Sequence, residues 1–119
     1  GHAIQIQGVR FTIDNNEVTG IDIYVQNVGE GSVTISGVYI ENSLVTTTGD
    51  PKIDLSGSDL GGDGTPGGDT LGETATPEGK IAKIHIDYTT PKIDEGTEVS
   101  IKIVCKDGTF TEGKFIAEE

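Results

Sequence analysis

The chain has 119 residues, with 20 Asp and Glu against 8 Lys and Arg and a formal net charge of −12. A surface this acidic repels phosphates at long range, which argues against nucleic acid and anionic lipid headgroups as partners. The single cysteine, Cys105, cannot close an internal disulfide or supply a cysteine-based zinc site alone, and no stretch approaches the ~18 apolar residues of a membrane span.

Gly1-His2 reads as the remnant of a removed expression tag, and residues 3–119 as one domain. With 3 Phe, 3 Tyr and no Trp or Met, its core must be built from Ile and Val, whose stiff branched side chains suit a pleated sheet.

Residues 3–13 form the first expected strand. Ile4 and Ile6 share one parity, whereas Val9, Phe11 and Ile13 share the other, so a bulge is expected at Gly8. Asp14-Asn15-Asn16 is a turn signal. In residues 17–27, Ile21, Ile23 and Val25 face inward and Asp22, Tyr24 and Gln26 outward. A turn follows over Asn27-Val28-Gly29-Glu30-Gly31. Residues 32–41 change parity between Val33/Ile35 and Val38/Ile40, which predicts a second bulge at Ser36-Gly37. Short strands are expected within Ser43–Thr48 and Lys52–Leu55.

From Gly49 to Gly79 the composition turns to Gly, Asp, Thr and Pro, and residues 56–79 read as a long surface loop. Alternation resumes in Lys80–Tyr88, with Ala82, Ile84, Ile86 and Tyr88 opposite Lys83, His85 and Asp87. It continues in Thr97–Cys105, with Val99, Ile101, Ile103 and Cys105 inward. Lys106-Asp107-Gly108 predicts a hairpin turn into a last strand over Thr109–Ala117. About seven strands and no helical periodicity predict an all-β, immunoglobulin-like sandwich.

The sequence offers little for catalysis. His85 reads as a solvent-facing residue of a polar strand face, and no nucleophile elbow accompanies it. Cys105 belongs to an apolar face and reads as a small core residue. The glycines after Leu60 lack the Lys-Ser/Thr and the helix of a phosphate loop. No catalytic residue, bound cofactor or metal site is therefore assigned. Calcium is the one ion worth weighing: Asp54, Asp59, Asp63 and Asp69 lie in or near the Gly-rich stretch and offer hard oxygen ligands, although the EF-hand spacing fails. Tyr24 and Tyr39 are candidates for exposed contacts, since tyrosine is enriched in interfaces.

The run Ile21–Asn42, with an alternating strand ending in Asn27-Val28-Gly29 and a following Val33-Thr34-Ile35-Ser36-Gly37-Val38-Tyr39, resembles the ectodomains of archaeal type IV pilin-like proteins. A looser likeness covers Pro91–Gly96 and Lys106-Asp107-Gly108-Thr109-Phe110. The resemblance implies a non-catalytic domain at the cell surface: either a filament or adhesion pilin, or a pilin-like accessory of the archaellum that contacts the surface layer. It implies protein partners, through self-assembly or surface-layer protein, and an N-terminal membrane anchor in the full-length protein. It brings no catalytic residues. The alternative reading is an extracellular β-sandwich module for adhesion, assisted by calcium.

Overall fold

The computed structural model of the chain describes residues 1–60 and 78–119, together with the backbone of a short strand at Thr74–Thr76. Among the described residues, nine strands run in chain order: β1 (Ile4–Asp14), β2 (Glu17–Asn27), β3 (Val33–Ile40), β4 (Ser43–Leu44), β5 (Lys52–Ile53), β6 (Thr74–Thr76), β7 (Ile81–Asp87), β8 (Glu98–Cys105) and β9 (Phe110–Ile116). The first sheet has the order β1-β2-β7-β5. The second has β4-β3-β8-β9, with β6 also pairing with β3. All these strand pairings are antiparallel. The arrangement is the two-sheet immunoglobulin-like order, in which the first, second, fifth and fourth strands face the third, sixth and seventh. A 3₁₀ turn at Leu55–Gly57 is the sole helical element among the described residues.

Both expected bulges are present, and each brings two out-of-phase halves of a strand onto the core. In β1 the register skips between Ile6 and Gly8, leaving Gln7 as the extra residue. Ile4 and Phe11, of opposite parity, are therefore both buried, with Ile6, Val9 and Ile13 packed against the same core. In β3 the register skips between Ile35 and Gly37, so Ser36 is extra and Val33, Ile35, Val38 and Ile40 all point inward. A further irregularity faces Thr12/Ile13, where Thr19 of β2 is unopposed. It lets Val18 join Ile21, Ile23 and Val25 in the core. The sequence carried this signal too, because Val18 is out of phase with Ile21 beside a glycine.

The turns follow their residue chemistry. Asn15 and Asn16 adopt φ 53° and 65°, as do Glu41 and Asn42 at 51° and 66°, giving two-residue hairpins that match strand twist. Gly108 has φ 92° at the β8–β9 turn, where Asp107 Oδ1 accepts from Thr109 N. Within the stretch read as a loop over 56–79, Thr74–Thr76 pair with Val33–Ile35, whereas residues 61–73 lie outside the described residues. At the other end of the chain, Gly1 pairs with Glu30 and His2 Nδ1 lies 2.5 Å from Asp107 Oδ2. That hydrogen bond, more than any other contact, holds Asp107 at a pKa of about 2.

Candidate functional site

The outer faces of the two sheets carry the side chains available for chemistry or recognition. On the first sheet, the β2–β7 register sets Asp22 directly opposite His85, and Arg10 of β1 lies beyond Asp22 in the same row. Asp87 is two residues along β7, on the same face as His85. His85 Nδ1 lies 2.6 Å from Asp22 Oδ1, and Nε2 lies 3.2 Å from Asp87 Oδ1. The solvent-facing histidine of the sequence reading is thus held between two carboxylates, with its side chain only 28% exposed. The pairing with Asp22 depends on cross-strand register. Alternation along β7 alone places Asp87 beside His85.

A third carboxylate reaches the same group from outside the sheet. After β5 the chain runs along the edge of β7: Asp54 N donates to His85 O (2.9 Å), His85 N to Ser58 Oγ (2.8 Å) and Asp59 N to Lys83 O (2.7 Å). Asp54 caps the 3₁₀ turn by accepting from Ser56 N and Ser56 Oγ. The Ser56 hydroxyl is the main reason its pKa falls below the usual carboxylate value. Asp54, His85 and Asp87 each present a ligand atom within 4.8 Å of the others.

Burial acts most strongly on His85 and pulls its pKa down, but the bond and charge of Asp22, with Asp87, outweigh it, and the net shift is upward from 6.5. A histidine raised in the folded state contributes stability that is complete below the unfolded pKa and is lost as pH rises through the folded one. Wild type should therefore lose stability relative to His85→Gln on going from pH 5.5 to pH 9. Urea titrations of both proteins check this, and parallel stability curves would contradict it.

The second sheet carries a face of different character. Tyr39 pairs with Leu44 on one side and Lys102 on the other, and Lys102 with Glu112. The next row places Gly37, Val104 and Phe110 side by side. Lys102 Nζ sits 4.7 Å from the Phe110 ring centroid, an electrostatically favourable contact. A Cβ on Gly37 would come 3.3 Å from Tyr39 Cε1, so the glycine at the bulge leaves room for the ring. Leu44, Phe110 and Ile116 are 41%, 52% and 45% exposed. A concavity of about 420 Å³ lies among Tyr39, Ser100, Lys102, Glu112 and Lys114. This is a mixed apolar and charged surface of the kind proteins use for contacts.

The remaining sequence candidates separate. Tyr39 lies on this second-sheet face, while Tyr24 is half-buried on the other sheet, between Gly8 and Lys83. Cys105 is buried, and burial raises its thiol pKa to about 11, so it is a core residue and a poor nucleophile. Of the four aspartates considered for calcium, Asp63 and Asp69 lie outside the described residues. Asp59 accepts from Lys83 N, and Asp54 groups with His85 and Asp87.

No family model and no curated protein matches the chain. Solved structures do. The archaellum periplasmic stator protein FlaG from Sulfolobus acidocaldarius superposes with a TM-score of 0.66 at 17% identity, covering 97% of this chain and 100% of that one. The periplasmic stator complex of FlaF and FlaG from the same organism matches with a TM-score of 0.59 at 16% identity, over 94% and 87% of the two chains. At these identities the likeness is one of fold.

Proposed function

We propose that this chain is a non-catalytic interaction domain of an archaeal surface appendage, a stator-like accessory of the archaellum placed outside the membrane by an anchor and working through protein contacts. One observation carries the reading: the likeness to a stator protein spans the whole of that chain and nearly all of this one. It is a match of the complete sandwich and not of a shared hairpin. The Asn27-Val28-Gly29 turn and the strand after it agree with the pilin-like resemblance. The FlaF–FlaG complex favours protein partners over a small ligand. The outer face of the second sheet supplies a surface for them: Phe110 and Leu44 offer apolar area, while Lys102, Glu112 and Lys114 offer charges of both signs that set orientation.

Binding to purified surface-layer protein, together with fractionation of sheared filaments, tests the proposal. The expected result is recovery with the cell envelope, binding to surface-layer or sister stator protein, and a loss of affinity of about tenfold or more in Phe110→Ser, since truncating a central aromatic of an interface typically costs at least ~1–2 kcal/mol. Recovery in the sheared filaments would support a filament subunit instead. Failure to bind either partner would favour the adhesion-module reading.

A further inference from the structure

We propose that Asp54, His85 and Asp87 form a binding site for one divalent transition-metal ion, with Asp22 as the residue that positions the imidazole. The inference is independent of the appendage reading, because it rests on the geometry of the first sheet and its flanking turn.

The donor set is one imidazole nitrogen and two carboxylate oxygens, drawn from β7 and from the turn packed along its edge. Imidazole is a poor partner for calcium and a good one for zinc, nickel or copper, while carboxylates complete such sites. The spacing also fits. With metal–ligand bonds of about 2.1 Å, the 3.2 Å between His85 Nε2 and Asp87 Oδ1 corresponds to a ligand–metal–ligand angle of about 100°, between octahedral and tetrahedral values. A carboxylate oxygen of Asp54 completes a group whose ligand atoms all lie within 4.8 Å of one another, so the Asp54 carboxylate must move toward the ion to join it at bonds of about 2.1 Å. Water would complete the coordination.

Two features beyond the ligands favour a metal. Asp22 engages His85 Nδ1 at 2.6 Å, which leaves Nε2, on the Asp54 and Asp87 side, as the nitrogen free to ligate. Metal-binding histidines are oriented in this way by a carboxylate on the other ring nitrogen. Gly57 provides the second. A Cβ there would lie 3.1 Å from Asp54 Oδ2 and 3.2 Å from His85 Cδ2, so a side chain at this position would crowd both groups. Three carboxylates surround one imidazole on this face. The basic residues nearest in register are Arg10 opposite Asp22 and Lys52 opposite Asp87, with Lys83 two residues before His85. Among the described residues, Asp22 and Asp87 form ion pairs with His85, and a divalent cation would relieve their mutual repulsion more fully than a proton.

Zinc chloride titration of the chelator-treated chain tests the site. His2 beside Asp107, with the terminal amine, is a second place for zinc, so all proteins should carry His2→Ala. Calorimetry should then show one zinc per chain, and the melting temperature should rise by several degrees at a hundredfold excess over the dissociation constant. His85→Gln and Asp87→Asn should each weaken binding at least about 30-fold. Asp22→Asn should weaken it roughly 10–100-fold and alter the imidazole ¹⁵N shifts of the metal-free protein, which a merely structural residue would leave unchanged. Asp59→Asn should bind as the parent does. Should His85→Gln fail to fold, Asp87→Asn, whose side chain is 46% exposed, decides the matter. The proposal is overturned by the absence of saturable heat and of thermal stabilisation up to millimolar zinc, or by zinc binding of equal affinity in Asp87→Asn.

Discussion

Deleting Lys102 should abolish folding, whereas deleting Ser36 on the neighbouring strand should leave the sandwich intact. β8 alternates without interruption: Val99, Ile101, Ile103 and Cys105 are all at or below 2% exposure. Removing Lys102 reverses the parity of everything on one side of the gap, so either Val99 and Ile101 or Ile103 and Cys105 must turn to solvent. Exposing two such side chains costs about 3–6 kcal/mol at roughly 1.5–3 kcal/mol each. The residues turned inward in exchange include Ser100, whose hydroxyl would lose water. A domain of this size is stable by only about 5–15 kcal/mol, and β8 is the central partner of both β3 and β9. Ser36 is different because it is the extra residue of a bulge. Without it the sequence reads Val33-Thr34-Ile35-Gly37-Val38-Tyr39-Ile40, a regular alternation with the same four residues inward and the same partners on β8. The lost terms are the Ser36 Oγ bond to Val104 O and the local twist, about 1–2 kcal/mol together. Circular dichroism and thermal melts of the two deletion variants check the contrast. Equal tolerance of both deletions, or equal failure, would contradict the assigned register.

That contrast also marks how far the fold could be read from residues. Alternation and its breaks are local, so β1, β2, β3, β7, β8 and β9, with the bulges at Gln7 and Ser36, were legible from Ile and Val positions and adjacent glycines. The bulge at Thr19 is marked in the sequence by a single out-of-phase apolar residue, Val18, which is too little to predict it. β6 could not be read, because Thr74–Thr76 lack an apolar pattern and are strand only through pairing with Val33–Ile35. The His85 group was hidden for a related reason. Asp22 and His85 are 63 residues apart and meet through register, and Asp54 arrives by way of a turn bonded along the edge of β7. Of these residues the sequence pointed only to Asp54 as a ligand, and for calcium; its association with His85 and Asp87 is a property of the fold.

Asn27→Ala should destabilise the domain by about 2–3 kcal/mol, the largest effect expected from a single polar side chain. Asn27 is the buried polar residue among the described residues, 1% exposed. It closes β2 and organises the turn into β3. Its Nδ2 donates to Gly31 O (2.7 Å), and its Oδ1 accepts from Gly29 N (3.1 Å). Its backbone joins the start of β7, donating to Lys80 O and accepting from Gly79 N. One carboxamide therefore fixes both ends of the Asn27–Gly31 turn, and with them the crossing from the first sheet to the second. Removing it leaves the Gly31 carbonyl without that donor and weakens the hold on Gly29 N, at about 1 kcal/mol per bond. The small cavity it leaves adds to this. Asn27→Asp should be at least as costly, because a buried carboxylate can accept from Gly29 N but cannot donate to Gly31 O, and its charge must be desolvated. Asp should then approach wild-type behaviour only as acid restores its proton and hence a donor. Urea unfolding of the three proteins at pH 4.5 and 7.5 measures this. A cost below about 0.5 kcal/mol for Asn27→Ala would mean that the turn is held by Gly29 and Gly31 alone, and the Asn27-Val28-Gly29 pattern would then have no structural cause in this chain.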